Sequence, residues 1–288
     1  MRKNQFIEKV IHGVFLLLGL ITVGCVLLIT VYLVISGIPA IREIGLIDFL
    51  FGKEWASTAE EPKYGILPFI LTSVYGTAGA IVIGVPIGFM TALYLSKLAS
   101  PKVKSAMQSA VSLLAGIPSV VYGLVGMLVL VPGIRKLFSV PDGASLLAAI
   151  IVLAIMILPS IIKMSITALD AVPKEYEDAS LALGATPVET YFRVSVPAAK
   201  SGIAAAVVLG VGRAIGEAMA VMMVAGNAAN MPNSIFQSVR FLTTAVSSEI
   251  SYSGGLQRQA LFSIALVLFL FIMLINAALN FFLKREKE

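Results

Sequence analysis

The chain has 288 residues, of which 58% are hydrophobic and 13% are charged, with a net charge of +5 and a mean hydropathy of +0.96. Soluble globular domains contain about 45–50% apolar and about 25% charged residues. The composition therefore excludes an ordinary cytosolic enzyme, a secreted disulfide scaffold and a disordered chain, and it predicts an integral membrane protein. In such a protein the excess of Lys and Arg is explained by cytoplasmic loops rather than by nucleic-acid binding.

Long apolar runs predict about six membrane-spanning helices, because about 20 residues cross a bilayer. The runs are continuously apolar, which excludes β-barrel strands with alternating side chains. The first run is longer than the roughly 7–15 apolar residues of a signal peptide, so we expect it to be retained as a helix. The predicted fold is all-α and polytopic, with spans at residues 13–37, 66–95, 105–131, 145–168, 200–226 and 260–283.

The distribution of positive charge predicts that both termini are cytoplasmic. With that orientation, the inner segments hold twelve Lys and Arg residues and the outer segments hold seven, in the direction of the positive-inside rule. Lys163 and Arg213 lie within apolar runs. The predicted location is the cytoplasmic (inner) membrane, where the chain contacts lipids.

The connections suggest a division into an N-terminal helix with an outer loop (1–63), a core (64–283) and a short cytoplasmic tail (284–288). Trp55 in the first outer loop is expected to anchor the chain at the membrane surface, as interfacial aromatic residues do. The third outer loop, at 227–259, is polar, and either contacts a partner or is simply a long connection.

The inner segment 169–199 is too polar for the bilayer but is patterned like folded protein. Pro173 is suited to open a helix, and Gly184 is suited to end it. Pro187 permits a second short helix, which Pro197 is expected to end before the next span. From spacing alone, this segment is either a docking surface for a partner or an interfacial loop without one.

The inner segment also carries a motif. It reads Asp178-Ala179-Ser180, three residues, Gly184, nine residues, and Val194-Ser195-Val196-Pro197. This order resembles the EAA loop, E-A-A-x3-G-x9-I-x-L-P, of ATP-binding-cassette (ABC) importer permeases. Asp178, Ser180, Val194 and Val196 are substitutions that keep charge or small and apolar character.

Further stretches resemble the phosphate-specific branch of that family, and particularly its PstC-type subunit. They are YGILPFI at 64–70, AGIPSVVYGLVG at 115–126 and GRAIGEAMAV at 212–221. The resemblance implies a type I importer permease fold in which the loop at 169–199 couples to an ATPase through Asp178, Ala179, Ser180, Gly184 and Pro197. It also implies a homologous PstA-like permease, two PstB-like ATP-binding subunits and an outer PstS-like phosphate-binding protein as partners.

Arg213 and Glu217 are an opposite-charge pair inside an apolar run. A charge in the bilayer core costs at least about 2.5–3.5 kcal/mol, so both side chains should face protein or a water-filled path. At a spacing of four residues they are expected to share a helix face and pair, with Gly212 and Gly216 allowing close helix approach. The pair either fixes helix packing or binds substrate, and the resemblance implies a role in phosphate passage.

No motif in the sequence supplies catalysis. A nucleotide-binding G-x-x-x-x-G-K-[ST] loop is absent, and one His and one Cys, His12 and Cys25, do not make a metal cluster. The chain is expected to be a non-enzymatic subunit without a cofactor or metal, and the resemblance implies that partner subunits bind ATP and Mg²⁺. Alternatives are a PstA-like subunit, a permease for molybdate or phosphonate, or a secondary anion transporter.

Lys163 lies near the inner end of the fourth predicted span. Its side chain either snorkels to the interface or lines the transport path. Pro86, Pro118 and Pro159 are expected inside helices, where a proline causes either a static kink or a bend used in gating.

Overall fold

The computed structural model describes the backbone of residues 2–285 and the side chains of residues 8, 10–278 and 281. Within that part the chain is almost entirely helical, as the all-α prediction requires. The first half contains α1 (Arg2–Ile44), α2 (Leu46–Phe51), α3 (Leu67–Leu93), α4 (Pro101–Gly116), α5 (Ser119–Val125) and α6 (Val131–Phe138). A π-helical turn extends α3 over Tyr94–Leu98, and a second, Gly126–Leu130, joins α5 to α6.

The second half contains α7 (Leu146–Asp170), α8 (Lys174–Ala182), α9 (Pro187–Thr190), α10 (Val196–Gly216), α11 (Met219–Val224), α12 (Leu242–Glu249) and α13 (Gly255–Arg285). A π-helical turn, Tyr191–Ser195, joins α9 to α10. The remaining residues of the predicted tail, 286–288, lie outside the described part. Among the described residues, five helical stretches are long and apolar enough to span a membrane, or six if the bent helix Pro187–Gly216 is one span.

Two of the predicted spans differ from the structure. The run at 105–131 is divided at Ile117–Pro118: α4 is a separate helix, and the spanning stretch is Ser119–Phe138. Pro118 precedes α5 rather than lying inside a helix, because proline disfavours a helical residue before it. Pro86 and Pro159 do lie inside α3 and α7. The run at 200–226 is divided at Glu217–Ala218, between α10 and α11.

Helix α7 is the centre of the fold, and it packs against α3 along a seam of small residues. Gly76, Ala80, Gly84 and Gly88 recur every four residues and are all buried. Isoleucines of α7 fill the space above Gly84 and Gly88: a Cβ on Gly84 would lie 2.7 Å from Ile157 Cδ1, and one on Gly88 would lie 2.9 Å from Ile161 Cγ2. Lipid-solvated helices gain little hydrophobic energy by associating, so close packing over small residues holds them together.

Helix α1 packs against α13 near its outer end. The Ser263 hydroxyl donates to the Gly37 carbonyl at 2.6 Å, and the rings of Tyr32 and Phe262 meet edge to face at 5.4 Å. A second core, distinct from the one around α7, combines Ala40 and Phe49 with residues of α3, α12 and α13. Side chains on both sides of the predicted boundary at residue 63 share this core, and the division itself stays a prediction.

The first outer loop folds into a short antiparallel hairpin of β1 (Trp55–Ala56) and β2 (Lys63–Tyr64). The prediction that Trp55 anchors at the membrane surface is wrong. Its indole is buried between Tyr64 and Phe69. The indole N–H donates to the Glu249 carboxylate, at 3.2 and 3.3 Å from the two oxygens, so the buried N–H has a partner within the protein. On the exposed side of the hairpin, Lys63 donates to Glu54 and lowers the pKa of that carboxyl.

The glycine seam generates a stability prediction. Gly84→Val should destabilise the fold by about 1–3 kcal/mol, because the added methyl groups collide with Ile157 and force α3 away from α7. Gly19→Val is the matched control, since a Cβ at Gly19 has nothing within 4 Å. The thermal unfolding midpoint of the purified protein should fall only for Gly84→Val; equal midpoints for the two variants would contradict a tight seam.

Candidate functional site

The helix that carries Arg213 ends three residues later, and this separates Arg213 from Glu217. Glu217 has extended dihedral angles, φ −74° and ψ 130°, and follows the last residue of α10. Its carboxylate accepts a hydrogen bond from the Ala220 N–H at 3.0 Å, and its carbonyl accepts one from the Thr243 hydroxyl at 2.7 Å. The expectation that Arg213 and Glu217 share a helix face is therefore wrong, since no continuous helix joins them. They do not form an ion pair within the described part of the chain.

Arg213 lies beside the middle of α7. Its Nη1 donates to the Ser160 hydroxyl at 3.5 Å, the long limit of a hydrogen bond. Ser160 is about 21 Å along the helix axis from Leu146 and about 15 Å from Asp170, at 1.5 Å per residue. The guanidinium has five N–H donors in a planar fork, so one weak bond leaves most of them able to bind an oxyanion.

The α10 surface next to Arg213 is open. A Cβ on Gly212 or Gly216 would have nothing within 4 Å, so the expected close helix approach over these glycines is not formed by the described residues. On the other side of α10, Gly210 contacts Ile161 of α7. Helix α10 is therefore fixed to α7 on one face and presents small residues on the other.

The inner segment forms α8 and α9, and a glycine turn joins them. Gly184 has φ +89°, a left-handed conformation that glycine adopts without strain. The N–H of Gly184 bonds to the Leu181 carbonyl and the N–H of Ala185 bonds to the Ser180 carbonyl, the pair of bonds that defines a Schellman motif. Thr186 then caps α9 in a capping box with Glu189. The prediction that Gly184 ends a helix is confirmed.

The second helical stretch ends next to Pro197, as predicted. The backbone is helical from α9 through the π-helical turn into α10, but the stretch Pro187–Ala198 breaks at Ala199 and meets Lys200–Gly216 at an angle of 71°. Pro197 has no N–H to donate within the helix, and this gap lies next to the bend at Ala199. Beyond the bend, Lys200 and Arg213 are on one helical stretch, about 20 Å apart along its axis, so the inner segment is joined to the Arg213 region through this bend.

The residues of the predicted motif face different ways. Asp178 and Ala179 are exposed, whereas Ser180 is half-buried, and its hydroxyl is 2.9 Å from that of Thr190. This contact fixes α8 to α9. The exposed surface also carries the apolar side chains of Leu181, Leu183 and Val188, with Leu183 90% exposed.

Sequence reasoning missed the residues that attach this segment to the membrane helices. Lys97, in the turn after α3, pairs with Glu177 Oε1 at 2.6 Å and also donates to the Leu169 carbonyl at 3.0 Å. The Ser195 hydroxyl donates to the same Glu177 oxygen at 2.8 Å. The side chains of Lys97 and Glu177 are only 11% and 18% exposed. Sequence indicates only that Glu177 favours a helix N-terminus, and gives no signal for its distant partner.

The sequence of this chain is similar to those of known transport proteins. Residues 84–287 match the family described as binding-protein-dependent transport system inner membrane component. The probable ABC transporter permease protein YqgH of Bacillus subtilis is 41% identical over 266 residues, covering 90% of this chain and 86% of that protein. The phosphate transport system permease protein PstC of Haemophilus influenzae is 35% identical over 288 residues, covering 92% and 90%.

Solved structures of ABC transporters share the fold. An inward-facing MetNI methionine ABC transporter chain superposes with a TM-score of 0.56 at 22% identity, covering 77% of this chain and 94% of its own. A chain of a bacterial alginate ABC transporter, solved with a periplasmic protein bound to an alginate pentasaccharide, superposes with a TM-score of 0.59 at 16% identity, covering 93% and 92%. At these identities the likeness concerns the fold alone.

The attachment of α8 generates a second prediction. In a double-mutant cycle of Lys97→Met and Glu177→Gln, the coupling free energy should be about 1.5–3 kcal/mol, because the contact between Lys97 and Glu177 is charge-assisted and poorly solvated. Unfolding of the purified protein measures it. The exposed pair Lys63–Glu54 is the control and should couple much more weakly, since solvent screens it. Strictly additive effects of Lys97→Met and Glu177→Gln would contradict the proposed attachment.

Proposed function

Because this chain belongs to the family of binding-protein-dependent transport system inner membrane components, the permeases of ABC importers, we propose that it is the PstC-type subunit of a phosphate importer. The observation that supports this most strongly is the mid-membrane Arg213, whose guanidinium makes one weak hydrogen bond to the described residues. None of the comparisons favours a PstA-like subunit, another oxyanion or a secondary transporter.

Arg213 and Glu217 have separate roles in this proposal. Arg213 offers a planar set of donors that fits two phosphate oxygens at once. Glu217 uses Oε1 to hold the start of α11, so its other oxygen remains to accept the proton that phosphate carries near neutral pH. Sulfate has no such proton, and the carboxylate would repel it without compensation.

The inner segment couples this site to ATP hydrolysis. The exposed surface of α8 and α9, with Asp178, Ala179 and the projecting Leu183, would dock on an ATP-binding subunit that also binds Mg²⁺. Because α10 continues from that surface to Arg213, closure of the ATPase pair would tilt the helix that positions the anion site. Two PstB-like ATPases, a PstA-like permease and an outer PstS-like binding protein complete the importer, with both termini of this chain cytoplasmic.

Replacement of the arginine is the primary test. Arg213→Gln should reduce ATP-dependent uptake of radiolabelled phosphate by about 10- to 100-fold, the range expected for lost charge-assisted hydrogen bonds. The assay uses cells that lack their own phosphate permease and express the assembled importer. Arg135→Gln, a change of the same type at an exposed residue of α6, should transport normally.

Two results would contradict this role. If Arg213→Gln prevents assembly with the ATPase subunits, Arg213 is a packing residue. If the assembled wild-type importer hydrolyses ATP but takes up no phosphate, the substrate is a different one.

Glu217 gives a test of selectivity. Glu217→Gln keeps an oxygen that can accept the Ala220 N–H while it removes the negative charge. We therefore expect sulfate, which should not compete in the wild type, to become a measurable competitor of phosphate uptake. Unchanged rejection of sulfate by Glu217→Gln would show that selectivity arises elsewhere.

A further inference from the structure

A stripe of polar side chains runs along the inner half of α7. Ser160, Lys163, Thr167 and Asp170 fall within about 80° of one another around the helix, at 100° per residue. Ser160 is half-buried, and the other three are exposed. The stripe begins at the level of Arg213, which contacts Ser160, and ends at the inner end of the helix.

Toward the N-terminal half of α7, the residues on this face are apolar instead of polar. There it continues with Ala149, Leu153 and Met156, which are apolar and at most 1% exposed. A packing function would place apolar residues along the full length of the face. Polar residues that start at the anion site and extend only inward instead form one wall of an exit path.

Helix α4 supplies the facing wall. Its hydroxyl and amide side chains recur on one side of the helix at Ser105, Gln108, Ser109 and Ser112. A cavity of about 290 Å³ lies between this side and α7. It is lined by the polar residues Gln108, Ser112, Lys163 and Thr167 and by the apolar residues Val111, Ile162 and Ile166. A groove of about 500 Å³ along α4 shares Gln108 and Ser112 with that cavity.

Lys163 of α7 brings a positive charge to this cavity. Its ammonium group has no hydrogen bond or ion pair with any residue that the structure describes, and the same holds for the side chains of Gln108 and Ser112. The carboxylate of the stripe, Asp170, is engaged by Lys104 at 2.8 Å and by the Ser96 hydroxyl at 2.6 Å. An anion that moves inward from Arg213 therefore meets a free cation about 4.5 Å further along the axis, and then a neutralised carboxylate.

We propose that Lys163, with Gln108, forms a second oxyanion position on the inner side of Arg213, in the cavity that Ser112 also lines. This inference rests on the proposed phosphate transport and extends it to the release step. A single arginine that holds an anion tightly would release it slowly. A second position close by lets the anion leave in two shorter steps, as multi-site conduction requires.

The first experiment measures the electrostatic field in the cavity without relying on transport. Ser112→Cys is introduced into the assembled importer with the single native cysteine replaced, Cys25→Ser, in nanodiscs. The labelling rates of a negatively and a positively charged methanethiosulfonate reagent are compared with Lys163 intact and as Lys163→Gln. The ratio of anionic to cationic rate should fall about tenfold when Lys163 is replaced, and millimolar inorganic phosphate should slow labelling only when Lys163 is present.

Controls separate a transport path from a lipid contact. Leu28→Cys, at a position of α1 whose side chain is 69% exposed and which we expect to face lipid, should not react with either charged reagent. Nanodiscs with and without phosphatidylglycerol distinguish a lipid headgroup from free phosphate. Labelling of Ser112→Cys that slows with phosphatidylglycerol and is insensitive to phosphate would overturn the proposal, because Lys163 would then bind lipid.

The second experiment measures transport. Lys163→Gln should lower the maximal rate of phosphate uptake several-fold with little change in the half-saturating concentration, and Lys163→Arg should restore most of the rate. Wild-type uptake combined with labelling that ignores Lys163 would overturn the second position and leave the proposed function intact. Absent wild-type uptake with charge-dependent labelling would overturn phosphate as the substrate and keep Lys163 as an oxyanion position.

Discussion

The close contact between α7 and the glycines of its neighbours is the constraint on which the rest of the structure depends. Ile157 and Ile161 are fully buried, and each contacts glycines of both α3 and α10. In a bilayer this contact replaces the hydrophobic effect as the reason for helices to associate. It also sets how far α10 can approach α7, and so it places the Arg213 guanidinium beside Ser160 near the middle of α7.

The two ends of α10 differ in how they connect to the neighbouring segments. At its N-terminal end α10 is joined to α9 through a break at Ala199, where the two helical stretches meet at 71°. At the outer end it stops at Gly216, and Glu217 uses its carboxylate to start α11. Movement of the inner segment would thus reach Arg213 through this bend, whereas Glu217 belongs to the segment that follows α10.

A partly buried carboxylate joins the first and third of the predicted outer loops. Glu249 accepts hydrogen bonds from Trp55, Ser57 and Gln257, and pairs with Arg240 at 2.5 Å. Arg240 in turn donates to the Asn227 carbonyl. The side chains of Arg240 and Glu249 are only 17% and 20% exposed, and removing charges from water is costly unless they are paired and hydrogen-bonded, so this cluster fixes the first outer loop to the third. The core on the outer side is consequently built from segments that are far apart in the chain.

The amino-acid sequence by itself determined the membrane environment, the helical class, most of the spans and the inner-segment motif. Composition and continuous hydrophobicity depend only on local residues, and Gly184 ends its helix through backbone geometry that glycine alone adopts easily. The break at Glu217, the pairing of Lys97 with Glu177 and the burial of Trp55 against Glu249 were decided by the tertiary structure. Each depends on a partner outside its own helix, and hydropathy and helical spacing contain no information about such partners.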